Sequence, residues 1–200
     1  RQGLKSVKNS ENYPEDYFDV NVNGSKSLLR AFEKGKTGKK IFIFSSSATI
    51  YVNPKLLPCK ETHKEQPTNI YGKTKKGVEI FLKKKAAKGN WKIISLRYFN
   101  PIGSHPSGLI GDNPKGKPEN LLPAINKVAK GKKKELLIFG SDYPTFDGTA
   151  IRDYIHIDDL ASGHLSALKY LTKKRKNIYD VFNLGTGRGH SVLEIVKNFE

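Results

Sequence analysis

Tyr17 to Glu33 places Phe18, Val22, Leu28, Leu29 and Phe32 at helical spacing, which predicts one amphipathic helix closed by Gly35 and Gly38. Ile41-Phe42-Ile43-Phe44 is a short continuous apolar run, the pattern of a strand covered on both faces. A polar stretch follows from Ser45 to Asn69, broken by Pro54, Pro58 and Pro67. Tyr71 to Lys88 returns to helical spacing, with Val78, Ile80, Phe81 and Leu82 apolar and a lysine-rich opposite side. Trp91 to Tyr98 reads as the next strand. Strand, loop, helix and strand in that order form a βαβ unit, which requires a parallel sheet and a right-handed crossover.

The second half is less regular. Asn100 to Pro118 is too rich in Gly and Pro for regular structure. Leu121 to Lys130 predicts a short helix. Leu136–Phe139 and Ile151–Ile157 predict short strands around the turn-rich stretch Gly140 to Thr149. Asp158 or Asp159 is expected to cap a helix reaching about Tyr170. Val181–Leu184 reads as a buried strand, and Ser191 as the cap of a last helix. The fold class expected is α/β: a partial Rossmann-like, doubly wound parallel sheet with an irregular substrate-binding portion. Residues 1–98 are expected to form the C-terminal part of a dinucleotide-binding domain. Residues 99–200 are expected to be mostly substrate-binding, with 178–200 returning to the sheet.

Charge changes this picture little. Lys+Arg number 36 against 19 Asp+Glu, a formal net charge of +17. The lysines lie in small clusters at Lys39-Lys40, Lys73 to Lys76, Lys83 to Lys85, Lys132 to Lys134 and Lys173 to Lys176. Most of these fall at helix ends or turns. Arginine is sparse and no nucleic-acid-binding motif is present, so a solvated basic surface is the simpler reading, with a basic polyanion-binding remnant as the competing one. Cys59 is the single cysteine, which excludes an intrachain disulfide scaffold. No apolar run reaches membrane-spanning length and no secretory leader is visible, so the cytoplasm is the expected compartment. The five histidines show no metal-ligand spacing. The absence of Met and the start at Arg1 suggest an internal segment of a longer protein.

The candidate chemistry centres on Tyr71-Gly72-Lys73-Thr74-Lys75. Tyr71 and Lys75 are four apart on a predicted helix and share a face. An ammonium beside a phenol favours the phenolate, lowering a pKa ordinarily about 10, so Tyr71 is expected to exchange a proton with a sugar hydroxyl near neutral pH. Ser45-Ser46-Ser47 ends the predicted strand, where an open parallel sheet presents residues to its ligand crevice. The competing reading of Tyr-x-x-x-Lys is a surface pair without chemistry.

A strand-end serine followed by Tyr-x-x-x-Lys resembles the short-chain dehydrogenase/reductase superfamily. Leu96-Arg97-Tyr98-Phe99-Asn100-Pro101-Ile102-Gly103, Glu119-Asn120-Leu121-Leu122-Pro123, Asp147-Gly148-Thr149 and Arg152-Asp153-Tyr154-Ile155-His156 narrow the resemblance to the UDP-glucose 4-epimerases, across essentially the whole chain. The resemblance implies tightly bound NAD, UDP-galactose and UDP-glucose as substrates, and a homodimer at full length. It implies catalytic roles for Tyr71 as acid/base, Ser47 as holder of the sugar 4-oxygen, and Lys75 as a ligand of the nicotinamide ribose. It places Lys5 and Phe99 against the cofactor. It places Asn100, Asn120, Leu121, Leu137, Phe139 and Arg152 on the UDP-sugar, Arg152 at the diphosphate, where a structural ion pair with Asp153 is the alternative. A related pentose or uronate 4-epimerase shares most of these motifs. The family's glycine-rich NAD-binding turn is missing before residue 40. Gly185-Thr186-Gly187-Arg188-Gly189 is read not as that turn but as a strand-to-helix connection ending at Ser191.

Overall fold

The computed structural model describes residues 3–35, 38, 40–51, 56–112, 114 and 120–199. Lys39, Pro54, Pro118 and Glu119 of the sequence reading lie outside them. The chain divides into two units: residues 1–98 with 162–184, and residues 99–161 with 185–200.

The first unit is built on a parallel three-stranded sheet, in which β2 (Trp91–Tyr98) lies between β1 (Lys40–Ser47) and β5 (Ile178–Leu184). Lys40 pairs with Trp91 and Ser47 with Tyr98, so β1 and β2 run in step to their carboxyl ends. Alternate residues of β2 face opposite sides. Trp91 and Ile93 pack with Val78, Leu82 and Ala86 of helix α4 (Ile70–Lys88), and with Phe44. Ile94 and Leu96 pack with Ala167 and Leu171 of helix α6 (Ile157–Lys173) on the other side. Helices therefore cover both faces of this sheet, as a doubly wound fold requires. Each fully buried Leu or Ile here contributes roughly 1.5–3 kcal/mol.

The stretch before β1 departs from the single helix expected. It forms α1 (Val7–Asn12), α2 (Pro14–Tyr17), a π-helical segment (Phe18–Asn23) and α3 (Gly24–Lys34). The wider π-turn rotates the apolar stripe. Val22 and Leu29 reach the core, whereas Phe18, Leu28 and Phe32 are exposed. Asn21 turns inward, where its side chain accepts from Leu4 N at 2.8 Å and donates to Leu4 O at 2.9 Å.

In the second unit, β4 (Ile151–His156) pairs in parallel with β3 (Asn100–Ile102) and antiparallel with β6 (Gly189–Ser191). Of residues 178–200, then, β5 lies in the large sheet and β6 in the small one. β3 is a short exception to the irregularity expected of 100–118. α5 (Leu121–Ala129) lies where predicted. Leu136–Phe139 is not a strand: it has no sheet partner among the described residues, and Leu137 and Phe139 stand exposed. Asp158 and Asp159 do not cap α6 but sit within its first turn, favoured there by the helix dipole, while His156 Nδ1 accepts from Asp158 N at 3.2 Å. Ser191 caps α7 (Val192–Lys197) through a reciprocal capping box with Glu194. The preceding glycine segment is a turn held by Asp153, whose carboxylate accepts from Thr186 N and Gly187 N, each at 2.8 Å.

Candidate active site

Three consecutive serines end β1, and α4 meets each of them. At the helix start, the Asn69 side chain accepts from Gly72 N at 2.7 Å, Ser10 Oγ accepts from Tyr71 N at 3.1 Å, and Glu11 accepts from Ile70 N at 2.8 Å. The first turn is therefore fixed by three separate acceptors. Gly72 permits the approach: a Cβ there would sit 2.6 Å from the Thr49 carbonyl oxygen and 2.9 Å from Pro67. Ser47 leads into a short 3-10 turn (Ala48–Ile50), its Oγ accepting from Thr49 N at 3.2 Å and Thr49 Oγ1 at 3.0 Å. The Ser47 hydroxyl also faces the Tyr71 phenol and draws its pKa down.

Lys75 lies one turn further on. Its Nζ donates to Ser45 O at 2.8 Å and stands 5.5 Å from the Tyr71 ring centroid and 5.0 Å from that of Phe44. Ser47, Tyr71 and Lys75 are thus brought together, which favours the catalytic reading over a surface pair. The direction of the tyrosine shift differs from the expectation. Burial raises the Tyr71 pKa, the neighbouring Tyr17 and Tyr98 hydroxyls add to this, and only the Ser47 hydroxyl opposes it. The Lys75 ammonium lies over the face of the ring, and burial pushes its own pKa down to about 8, against the favourable field of Glu79.

Other charged and hydroxyl groups back this site, and the sequence reading did not single them out. Tyr98 OH donates to Ser45 Oγ at 2.7 Å and lies 2.5 Å from His164 Nε2. Arg97, 1 % exposed, donates from Nε to Glu79 Oε1 at 3.0 Å, from Nη2 to Glu79 Oε2 at 2.5 Å and to Glu65, and from Nη1 to Tyr51 OH at 2.9 Å. Ser46 Oγ donates to the same Glu79 oxygen at 2.6 Å. The available signals were an arginine inside a buried strand and a glutamate one helical turn after Lys75.

Lys5 is exposed on the segment before α1. In the second unit, Phe99 is half-buried and Asn100 exposed on β3. Asn120 begins α5, where its side chain makes no capping bond, and Leu121 follows half-buried. Leu137 and Phe139 are exposed. Arg152 is exposed on β4, its Nη1 donating to Ile151 O at 2.8 Å. The ion pair with Asp153 does not form, because the Asp153 carboxylate holds the Thr186–Gly187 turn. Among the described residues no group of three or more His, Cys, Asp or Glu could hold a metal ion, and no helix is long and apolar enough to cross a membrane.

The chain is 50% identical over 199 residues to a bifunctional UDP-glucose 4-epimerase and UDP-xylose 4-epimerase of Arabidopsis thaliana, covering 99% of this chain and 56% of that one. It is 49% identical over 199 residues to a UDP-glucose 4-epimerase of Oryza sativa subsp. japonica, covering 99% and 48%. The chain therefore spans about half the length of these curated relatives. Its structure resembles that of the Stenotrophomonas maltophila UDP-glucose-4-epimerase with bound NAD and formylated UDP-arabinopyranose, with a TM-score of 0.93 and 47% identity over 100% of this chain and 58% of that one. It also resembles the Bifidobacterium longum UDP-glucose 4-epimerase in complex with NAD+ and UDP, with a TM-score of 0.92 and 46% identity over the same shares. Residues 2–185 match the family model, and the chain belongs to the NAD dependent epimerase/dehydratase family.

Proposed function

We propose that the full-length protein carrying this chain is an NAD-dependent UDP-glucose 4-epimerase that interconverts UDP-galactose and UDP-glucose. The observation that carries this reading is the meeting of Ser47, Tyr71 and Lys75 at the carboxyl end of a parallel strand. The residues present suit a dinucleotide. Lys75 has three N–H donors, uses one on Ser45 O, and makes no carboxylate ion pair among the described residues, which suits it to ribose hydroxyls. Phe99 and Lys5 would complete the contacts to NAD. When bound, NAD supplies reversible hydride acceptance at sugar C4, so that the configuration there can be lost and restored.

The side chains do the proton work. Tyr71 takes the proton of the sugar 4-hydroxyl and later returns it, and Ser47 holds the same oxygen. A buried phenol resists ionisation, and the Ser47 hydroxyl opposes that cost. In the second unit, Asn100, Asn120 and Leu121 contact the UDP-sugar, Leu137 and Phe139 line its uracil, and Arg152 pairs with the diphosphate. A guanidinium matches phosphate geometry, and Arg152 is not tied to a carboxylate among the described residues. The exposed Phe18, Leu28 and Phe32 give α3 and the segment before it an apolar surface suited to a homodimer. A cytoplasmic setting is consistent with the free Cys59.

Pentose 4-epimerisation is the second reading, favoured by the name of the Arabidopsis relative. Full-length protein assayed with UDP-galactose and UDP-xylose separates the two. Tyr71→Phe is expected to lower kcat about 10²–10⁴-fold on whichever sugar is used. A Tyr71→Phe variant as fast as the parent would overturn the mechanism.

A further inference from the structure

The buried pair Arg97–Glu79 does more than join a helix to a strand. We propose that Glu79, locked by Arg97, is a positioning residue that fixes the serine-bearing end of β1 against α4 and sets its carboxylate on the face of the helix that carries Lys75. This rests on the catalytic reading of Ser47, Tyr71 and Lys75.

The geometry carries the argument. Glu79 lies four residues after Lys75 on α4, so the two side chains occupy the same helical face. Its Oε1 accepts from Ser46 Oγ at 2.6 Å and from Arg97 Nε at 3.0 Å, and its Oε2 from Arg97 Nη2 at 2.5 Å. Ser46 adjoins Ser47, so the carboxylate is one side chain removed from the hydroxyl that meets Tyr71. Arg97 directs its remaining N–H groups to Tyr51 and Glu65, and Tyr51 OH in turn donates to Asn183 Oδ1 at 2.7 Å. One guanidinium thus fastens α4, the chain just past Ser47, and the loop that leads back to α4. A carboxylate so held cannot rotate away from Ser46 and Arg97.

The groups around both ions set the direction of the effect. Lys75 faces the Tyr71 ring and Glu79 from its own helix, and the Phe44 ring and Ser45 carbonyl from β1. Tyr17 and Tyr98 lie near the Tyr71 phenol. Glu79 faces Ser46 from β1, Arg97 from β2 and Tyr179 from β5, with Glu65 and Tyr51 beyond Arg97. Burial drives the ammonium to lose its proton, and the Glu79 carboxylate on the same helical face offsets part of that effect.

The test is the pH dependence of kcat/KM in full-length Glu79→Gln, with a titration of the 13Cε-labelled Lys75 resonance. Glutamine preserves the shape but removes the charge. The alkaline limb and the lysine titration are expected to move together to lower pH by about one unit. A lysine pKa moved from about 8 to about 7 leaves half of Lys75 charged at pH 7, so kcat there is expected to fall about two-fold, with KM unchanged because Glu79 is placed behind the site and not on the substrate. Should Glu79→Gln fail to fold, with Arg97 left uncompensated, the double variant Glu79→Gln/Arg97→Gln removes both ions and is expected to shift in the same direction by less, because loss of the Arg97 cation offsets part of the loss of the carboxylate. A folded variant of either kind with the parental alkaline limb and lysine titration overturns the proposal. A fully active Tyr71→Phe protein instead rejects the catalytic reading, whereas the lysine titration of Glu79→Gln reports on Glu79 whichever way that result falls.

Discussion

Gly72→Ala isolates the contact on which the site depends. Gly72 lies in the first turn of α4, where the helix passes the Ala48–Ile50 turn, and an added Cβ would stand 2.6 Å from the Thr49 carbonyl oxygen. Real Cβ atoms do not approach backbone so closely, and ordinary contact begins near 3.4 Å. Either α4 or the turn after Ser47 must therefore retreat by about 0.8 Å, and neither obstacle is the end of a flexible side chain. Overpacking of this kind costs about 1–3 kcal/mol, which lowers the melting temperature by roughly 2–10 °C for a domain of this size. The same displacement separates Tyr71 from Ser47, and a misplacement near 1 Å costs on the order of 10²-fold in rate. Gly77→Ala supplies the control on the same helix. A Cβ there meets only Val22 Cγ2 at 3.8 Å, so the substitution is expected to stabilise by about 0.5–1 kcal/mol with activity unchanged. Differential scanning calorimetry and epimerase assays on the two full-length variants provide the measurement. If Gly72→Ala melts and turns over like Gly77→Ala, the close approach of α4 to Thr49 is wrong, and with it the placement of Tyr71 beside Ser47.

Two further outcomes concern stability. Ser191→Ala removes an N-cap whose Oγ accepts from Glu194 N at 3.0 Å and also donates to Asp147, and a loss of about 1–2 kcal/mol is expected in chemical denaturation. A midpoint unchanged from the parent would show that the capping box contributes nothing. Glu33 accepts from Lys85 Nζ at 2.6 Å and from Trp91 Nε1 at 3.2 Å, and the lysine partner first, then the indole, holds its carboxyl below 4.5. The lowered pKa means that this contribution is complete above pH 4.5 and is lost as pH falls through the folded value. The pair is partly exposed, so the effect is small. Because Trp91 is the single tryptophan, its fluorescence in an acid titration of Glu33→Gln beside the parent should show the acid-side transition in the parent alone.

What the sequence revealed and what it hid divide along a physical line. The β2 boundaries, Trp91 to Tyr98, and the extent of α4 follow from local pattern, because burial on a strand and periodicity on a helix are written into neighbouring residues. The pairing of Tyr71 with Lys75 is equally local. The break of the Tyr17–Glu33 stripe was not readable, since a π-turn changes the helical phase without changing composition. The ring of Arg97, Glu79, Glu65 and Tyr51 was hidden for another reason. Its partners come from β2, α4 and the intervening loop, and Tyr51 reaches Asn183 across 132 residues. Local spacing cannot reveal such a closure. The direction of the Tyr71 shift failed on the same ground: adjacency to an ammonium is visible in sequence, but desolvation depends on what folds over the ring.

The run Ser45-Ser46-Ser47 shows how these two kinds of information combine. As sequence it is three equivalent small polar residues. In the fold, each is met by a different turn of α4, so the strand end is read residue by residue. Ser47 answers Tyr71 through its hydroxyl, Ser46 donates to Glu79, and Ser45 offers its backbone carbonyl to Lys75 while its hydroxyl accepts from Tyr98. The three contacts differ in kind. Only the Ser47 hydroxyl stands beside the phenol proposed to carry the proton, and Lys75 is held through a main-chain oxygen that no side-chain substitution removes. The ammonium is therefore anchored by the strand itself, while the Glu79 carboxylate opposes the burial that lowers its pKa. Position and protonation of Lys75 are controlled by separate groups, and this separation is why a change in charge at residue 79 is expected to move the pH profile without moving the lysine.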